Sequence, residues 1–186
     1  MKAVIINNYG GPEVLQYADV VTPAPGPDEV LVRVKAAAVN PVDWKTRRCN
    51  LKIITGRKYP VYLGTEVSGI VEKTGSDVKD LEPGQRVYAG LSYRGGGYAE
   101  YVAVSQKNVF VIPDSMSFEV ASTLGVAGVT PYQGLKDHGK LEEGMEVLIN
   151  GASGGTGIYA VQIARLLGAH VTGVCSTKNV DFVKSL

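Results

Sequence analysis

Short apolar runs, broken by glycine, proline and aspartate, fill the first hundred positions of the chain. Ala3 to Ile6 is an apolar run of strand length. Val21 to Glu29 holds three prolines and a glycine, which predicts a loop. Val30, Val32 and Val34 then alternate with Leu31, Arg33 and Lys35, the period of a half-buried strand. The stretch GTEVSGIVEKTG ends in a turn at Thr74, Gly75, Ser76 and Asp77, and LEPGQRVYAG predicts a Pro-Gly turn and another strand. Tyr98, Glu100, Val102 and Val104 alternate with Ala99, Tyr101 and Ala103. Many short strands at this spacing predict a compact β-barrel or sandwich.

Near Pro113 the pattern changes. Asp114 or Ser117 can cap a helix, Glu119 suits its first turn, and small residues run from Ala121 to Ala127. Thr130 and Pro131 predict the next helix, with Thr130 as N-cap and Pro131 in the first position, and Gly139 can close it. Met145 to Ile149 reads as a buried strand, Ile158 to Leu167 as a helix stopped by Gly168, and Val171 to Cys175 as a second strand. That is a right-handed βαβ unit of about thirty residues. The expected organisation is two domains, 1–116 and 117–186: a β-barrel followed by the start of a parallel α/β sheet. A full dinucleotide-binding sheet has about six strands. The expectation is therefore that this chain is the first part of a longer protein.

Composition narrows the function classes. With 45% hydrophobic and 20% charged residues the chain can pack a core. The net charge is +1, from 19 basic and 18 acidic residues, which gives no electrostatic case for a nucleic acid or membrane partner. The apolar start is too short for a signal peptide or a membrane span. Cys49 and Cys175 lie far apart, outside any CxxC pattern. The default expectation is a soluble protein in a reducing compartment, the cytoplasm. His138 and His170 are not at ligand spacing with each other or with the cysteines. His138 reads as a helix-end residue and His170 as one at the mouth of a strand, so no metal site is expected.

The candidate chemistry lies between Asn150 and Asn179. Ala152, Ser153, Gly154, Gly155, Thr156, Gly157 and Ile158 form a glycine turn between strand and helix. Glycine there permits a tight bend and lets a ligand approach the backbone, and the helix N-terminus behind it attracts a pyrophosphate. A tight turn also favours glycine with no ligand at all. At the end of the second strand, where a carboxylate would hold a ribose 2′-hydroxyl, the chain has Ser176, Thr177 and Lys178. Donors and a positive charge suit a 2′-phosphate, hence NADPH over NADH. The competing reading is a solvated turn.

These residues resemble the quinone oxidoreductase and zeta-crystallin branch of the medium-chain dehydrogenase/reductases. GMEVLINGASGGTGIYAVQIAR carries the likeness through Leu148, Ala152-Ser153, Gly154-Gly155, Gly157, Gln162 and Arg165. AAAVNPVDWK, LGTEVSGIVEKTGSDVKDLEPGQRVY and GGGYAEYVAV are similar to that family's GroES-like catalytic domain, so the likeness runs from Met1 to Leu186. Zinc-dependent relatives have a cysteine where this chain has Asn40 and a histidine where it has Thr65, and the four-cysteine lobe is absent. The resemblance implies zinc-free hydride transfer from NADPH to a quinone or an α,β-unsaturated carbonyl. It places Asn40 and Lys45 near the reacting centre, Asp43 as an orienting or capping residue, and Tyr93 and Arg94 at the substrate mouth or on a solvated loop. Thr130 looks like a threonine that lies near the nicotinamide. The resemblance also implies a possible homodimer. The alternatives are a non-catalytic crystallin-like or scaffold member of the same fold, and an enoyl-thioester reductase.

Overall fold

The structure is a computed structural model and describes residues 1–49, 59–92 and 95–186. The chain divides into two compact units, Met1–Thr123 and Leu124–Leu186.

Among its described residues the first unit holds eight strands: β1 Lys2–Ile6, β2 Gln16–Asp19, β3 Glu29–Ala37, β4 Val61–Tyr62, β5 Glu66–Thr74, β6 Arg86–Gly90, β7 Tyr101–Ser105 and β8 Val109–Val111. They make an antiparallel sheet in the order β7-β3-β5-β6-β8 and a second in the order β2-β1-β4. Alternation decides which side chains meet. Val32 faces Val71 on β5 and Val102 on β7, and Val30 faces Val104. These residues join Val67, Val87, Ala89 and Leu91 in one buried core. The backbone between the sheets is continuous: Val4 N–H donates to the Tyr98 carbonyl at 2.7 Å and Glu100 N–H to the Lys2 carbonyl at 3.0 Å.

Three strands carry weak sequence signals. β2 is mostly exposed, β4 has two residues, and only Val109 of β8 is buried. The strand expected from Tyr98 begins at Tyr101. The preceding residues reach across to β1 instead, with Ala3 bridging Ala99. The expected domain boundary at 116/117 lies one short helix ahead of the observed division. That helix, Phe118–Ala121, packs on β3, β5 and β6 within the first unit. Ser117 Oγ caps it by accepting from Val120 N–H at 3.2 Å, as the sequence predicts. Ser68 Oγ donates to the Phe118 carbonyl at 2.5 Å, and the Arg86 guanidinium lies 4.6 Å from the Phe118 ring centroid.

Tyr88 on β6 stacks on Phe110 of β8, ring centroids 6.0 Å apart. Burial, with the nearby Glu66 charge, pushes its phenol up to about 12. An unfolded tyrosine ionises near 10. The neutral phenol therefore contributes stability that is present below about pH 10 and is lost as pH rises towards 12. Denaturant midpoints should be flat below pH 10 and fall above it. In Tyr88→Phe that alkaline fall should be shallower; an unchanged slope would refute the assignment.

The second unit opens with a continuous helical run. π-Helical turns Leu124–Gly128 and Gln133–His138 flank a short α-helical stretch, Val129–Tyr132. This corrects the expected helix start. Thr130 is not an N-cap and Pro131 is not first: the helical backbone begins at Leu124, and both lie inside the run. The small residues from Ala121 mask the start, because they carry no cap or staple pattern. Strands β9 Glu146–Asn150 and β10 His170–Val174 then pair in parallel, Glu146 opposite His170 and Asn150 opposite Val174. The helix Gly155–Leu166 connects them. Gly157, Ala160, Val161 and Ala164 recur at helical spacing and bury one face, against Leu141, Ile149 and Ala152. Gly168 follows the helix with φ +79°, the left-handed stop that the sequence predicts. His138 ends a helical turn and His170 begins β10. Among the described residues no helix is long and apolar enough to cross a membrane.

Candidate cofactor-binding turn and candidate active-site loop

The glycine turn sits where β9 and β10 end together. Gly151 N–H and Ala152 N–H both donate to the Val174 carbonyl, at 3.0 and 2.9 Å. Gly151 has φ +76°, and Gly154 N–H closes the turn on the Gly151 carbonyl at 2.9 Å. The helix starts at Gly155, three residues earlier than the apolar pattern predicts. Gly155, Thr156 and Gly157 are thus its first turn. Helical propensity matters little there, because first-turn N–H groups have no intrahelical partner. The N-cap is Gly154, and no side chain caps the helix.

The glycines divide by what surrounds them. A Cβ on Gly157 would run into the Gly151 carbonyl oxygen and the Ala152 backbone, so this glycine serves the fold. A Cβ on Gly151 or Gly155 would meet nothing within 4 Å. That open side, beside an uncapped helix N-terminus, fits the diphosphate of a nicotinamide dinucleotide. Ser176, Thr177 and Lys178 are exposed at the same end of the two strands. Asn179 joins the two segments: its Nδ2 donates to Ser153 Oγ at 3.0 Å. The sequence reading does not single out Asn179, whose only signal is its place one residue past the donor cluster. Thr130 is exposed on its helical run.

The candidate active-site loop belongs to the first unit. Asn40 precedes the helix Pro41–Arg47 and is 7% exposed. Its N–H donates to Asp43 Oδ2 at 2.7 Å, and Asp43 N–H returns a bond to the Asn40 carbonyl at 3.0 Å. Asp43 Oδ1 also accepts from Gly64 N–H at 3.1 Å, which ties the loop to the start of β5. Asp43 therefore caps the helix and ties down the loop. Asn40 Nδ2 donates to Glu66 Oε1 at 2.6 Å, and Glu66 is 1% exposed. Burial, Asp43 and Glu66 together raise the Tyr98 phenol above its ordinary range. Glu66 is the residue that apolar patterning misses, because a carboxylate at the head of a buried strand looks like an exposed end.

Lys45 stands apart from this cluster. It is exposed, with Nζ 5.7 Å from the Trp44 ring centroid, and Arg48 shares that ring at 5.4 Å. Tyr93 and Arg94 lie outside the described residues.

Residues 26–114 match the alcohol dehydrogenase GroES-like domain. The chain is 40% identical to the chloroplastic quinone-oxidoreductase QR1 of Triphysaria versicolor, over all of this chain and 59% of that protein. It is 38% identical to the quinone oxidoreductase of Sus scrofa, over 96% of this chain and 54% of that one. The solved quinone oxidoreductase of Coxiella burnetii superposes on the whole chain with a TM-score of 0.90 at 34% identity, and 59% of it is covered. The chain thus spans rather more than half the length of these relatives. The GroES-like domain match and these quinone oxidoreductase homologues, of the zeta-crystallin-like branch of the medium-chain dehydrogenase/reductases, together cover the whole chain.

Proposed function

We propose that the protein is an NADPH-dependent reductase of quinones or α,β-unsaturated carbonyls that works without zinc. The observation that carries this reading is the open, uncapped glycine turn beside the Ser176, Thr177 and Lys178 cluster. In it, the backbone from Ala152 to Ile158 holds the diphosphate, and the three donors hold the 2′-phosphate. The second unit, Leu124–Leu186, begins the cofactor domain, and the first, Met1–Thr123, is the catalytic domain. NADPH, when bound, supplies the hydride.

The chain's own part is to bind, orient and stabilise charge. Asn40 hydrogen-bonds the substrate carbonyl or the nicotinamide ribose. Lys45 stabilises the oxyanion that forms as the acceptor is reduced, or touches the cofactor. Thr130 lies towards the nicotinamide. An amide at Asn40 and a hydroxyl at Thr65 are poor zinc ligands, and the adjacent carboxylate of Glu66 is engaged by Asn40. A conjugated acceptor suits such a site, because its negative charge spreads onto oxygen without a strong Lewis acid. The decisive assay follows NADPH oxidation with a quinone, an enone and a simple ketone. Turnover is expected with one of the first two and not with the ketone. Absence of turnover with both conjugated acceptors would overturn the reading.

A further inference from the structure

We propose that Glu66 is a positioning residue that fixes the side-chain amide of Asn40 for the reaction; this rests on the reductase reading above. Glu66 begins β5 and is 1% exposed, yet no step of the proposed chemistry uses it directly. A carboxylate can only accept hydrogen bonds. The 2.6 Å contact therefore requires Asn40 to turn Nδ2, not Oδ1, towards Glu66. Turning the amide over would set two acceptors against each other with no proton between them. Such a charge-assisted bond is short and strong. The Asn40 backbone is held separately, by its N–H on Asp43 Oδ2.

Main chain and side chain are thus fixed by two different carboxylates, on two different elements. The consequence is chemical. Asn40 then holds its second Nδ2 hydrogen in a set orientation, a donor for an oxygen that gains charge, while its side chain also faces the Asp43 N–H in the capping box of the helix. Without Glu66 the amide can rotate between two faces, and only one is productive. Misplacing a reacting group by about 1 Å can cost about 100-fold in rate.

The test is a double-mutant cycle on kcat/KM, read with NADPH and a quinone acceptor. Glu66→Ala is expected to lower kcat/KM by about tenfold or more, mainly in kcat. Glu66→Gln, whose amide oxygen still accepts from Asn40, should recover most of that loss. In an Asn40→Ala background, Glu66→Ala should add less than about twofold, because its effect passes through Asn40. An equal loss in both backgrounds, or Glu66→Gln no better than Glu66→Ala, would overturn the proposal. NMR of the Asn40 side-chain amide is independent of turnover and serves where Glu66→Ala does not fold. The wild-type protein should show one downfield, slowly exchanging Nδ2 proton that moves upfield in Glu66→Gln. A fast-exchanging, unperturbed amide would refute the contact itself. Wild-type protein with the downfield proton but no reductase activity would instead refute the reductase reading.

Discussion

Lys178→Ala is expected to weaken NADPH binding by about tenfold and to leave NADH binding within about twofold. A hydrogen bond from a cation to a phosphate contributes about 1.5–3 kcal/mol, and 1.4 kcal/mol is a factor of ten. Lys178 is exposed, so solvent screens it and the lower end applies. The two cofactors differ only at the 2′-position, so a selective loss reports on that group alone. Salt supplies a second axis. The wild-type preference for NADPH should shrink as ionic strength rises, and the variant should show a flatter dependence. Calorimetric titration of both cofactors measures both effects. An unchanged ratio of the two affinities would remove the 2′-phosphate assignment. It would leave the glycine turn untouched, because Lys178 lies past the end of β10 and not in that turn.

The same contrast between local and distant information explains what the sequence reveals. Alternation is a local signal, and it finds the valines of β3 because one face of that strand packs on β5 and β7. It misses β2 and β8, whose residues are held by pairing at a sheet edge more than by burial. It begins β7 too early because Tyr98 to Glu100 pair with β1, about a hundred residues away in the chain. In the second unit, glycine spacing identifies the βαβ turn, and Gly168 the stop of its helix. The start of that helix is less legible, since a first turn needs neither apolar spacing nor helix formers. Around the candidate active site, Asn40 and Asp43 are legible only through the family resemblance of AAAVNPVDWK. The role of Glu66 is not legible, because its partner is a side chain 26 positions away. A polar cluster assembled from separate elements leaves no periodic trace in the chain.

The largest effect on stability is expected at Gly157, and its neighbour Gly155 provides the control. The ideal Cβ of Gly157→Ala would strike the Gly151 carbonyl oxygen and sit 2.9 Å from the Ala152 Cα and carbonyl carbon. All of these are backbone atoms pinned by the Val174 carbonyl, so no flexible side chain can give way. Destabilisation should reach about 3 kcal/mol, the upper range for overpacking a tight site. For a protein of this size that corresponds to a fall in Tm of roughly 6–12 °C. Gly155→Ala meets no atom within 4 Å, and Gly155 lies in the helix, so Tm should hold or rise slightly. If the open side of the turn receives the diphosphate, that added methyl occupies the approach. Both NADPH and NADH should then bind about tenfold or more weakly, a loss of roughly 1.4 kcal/mol. The pair separates two uses of glycine in one turn: Gly157 as a condition of folding and Gly155 as a condition of binding. Thermal unfolding and calorimetric titration of the two variants distinguish them. A Gly155→Ala protein that unfolds normally and binds both cofactors at wild-type strength would show that the turn holds no diphosphate.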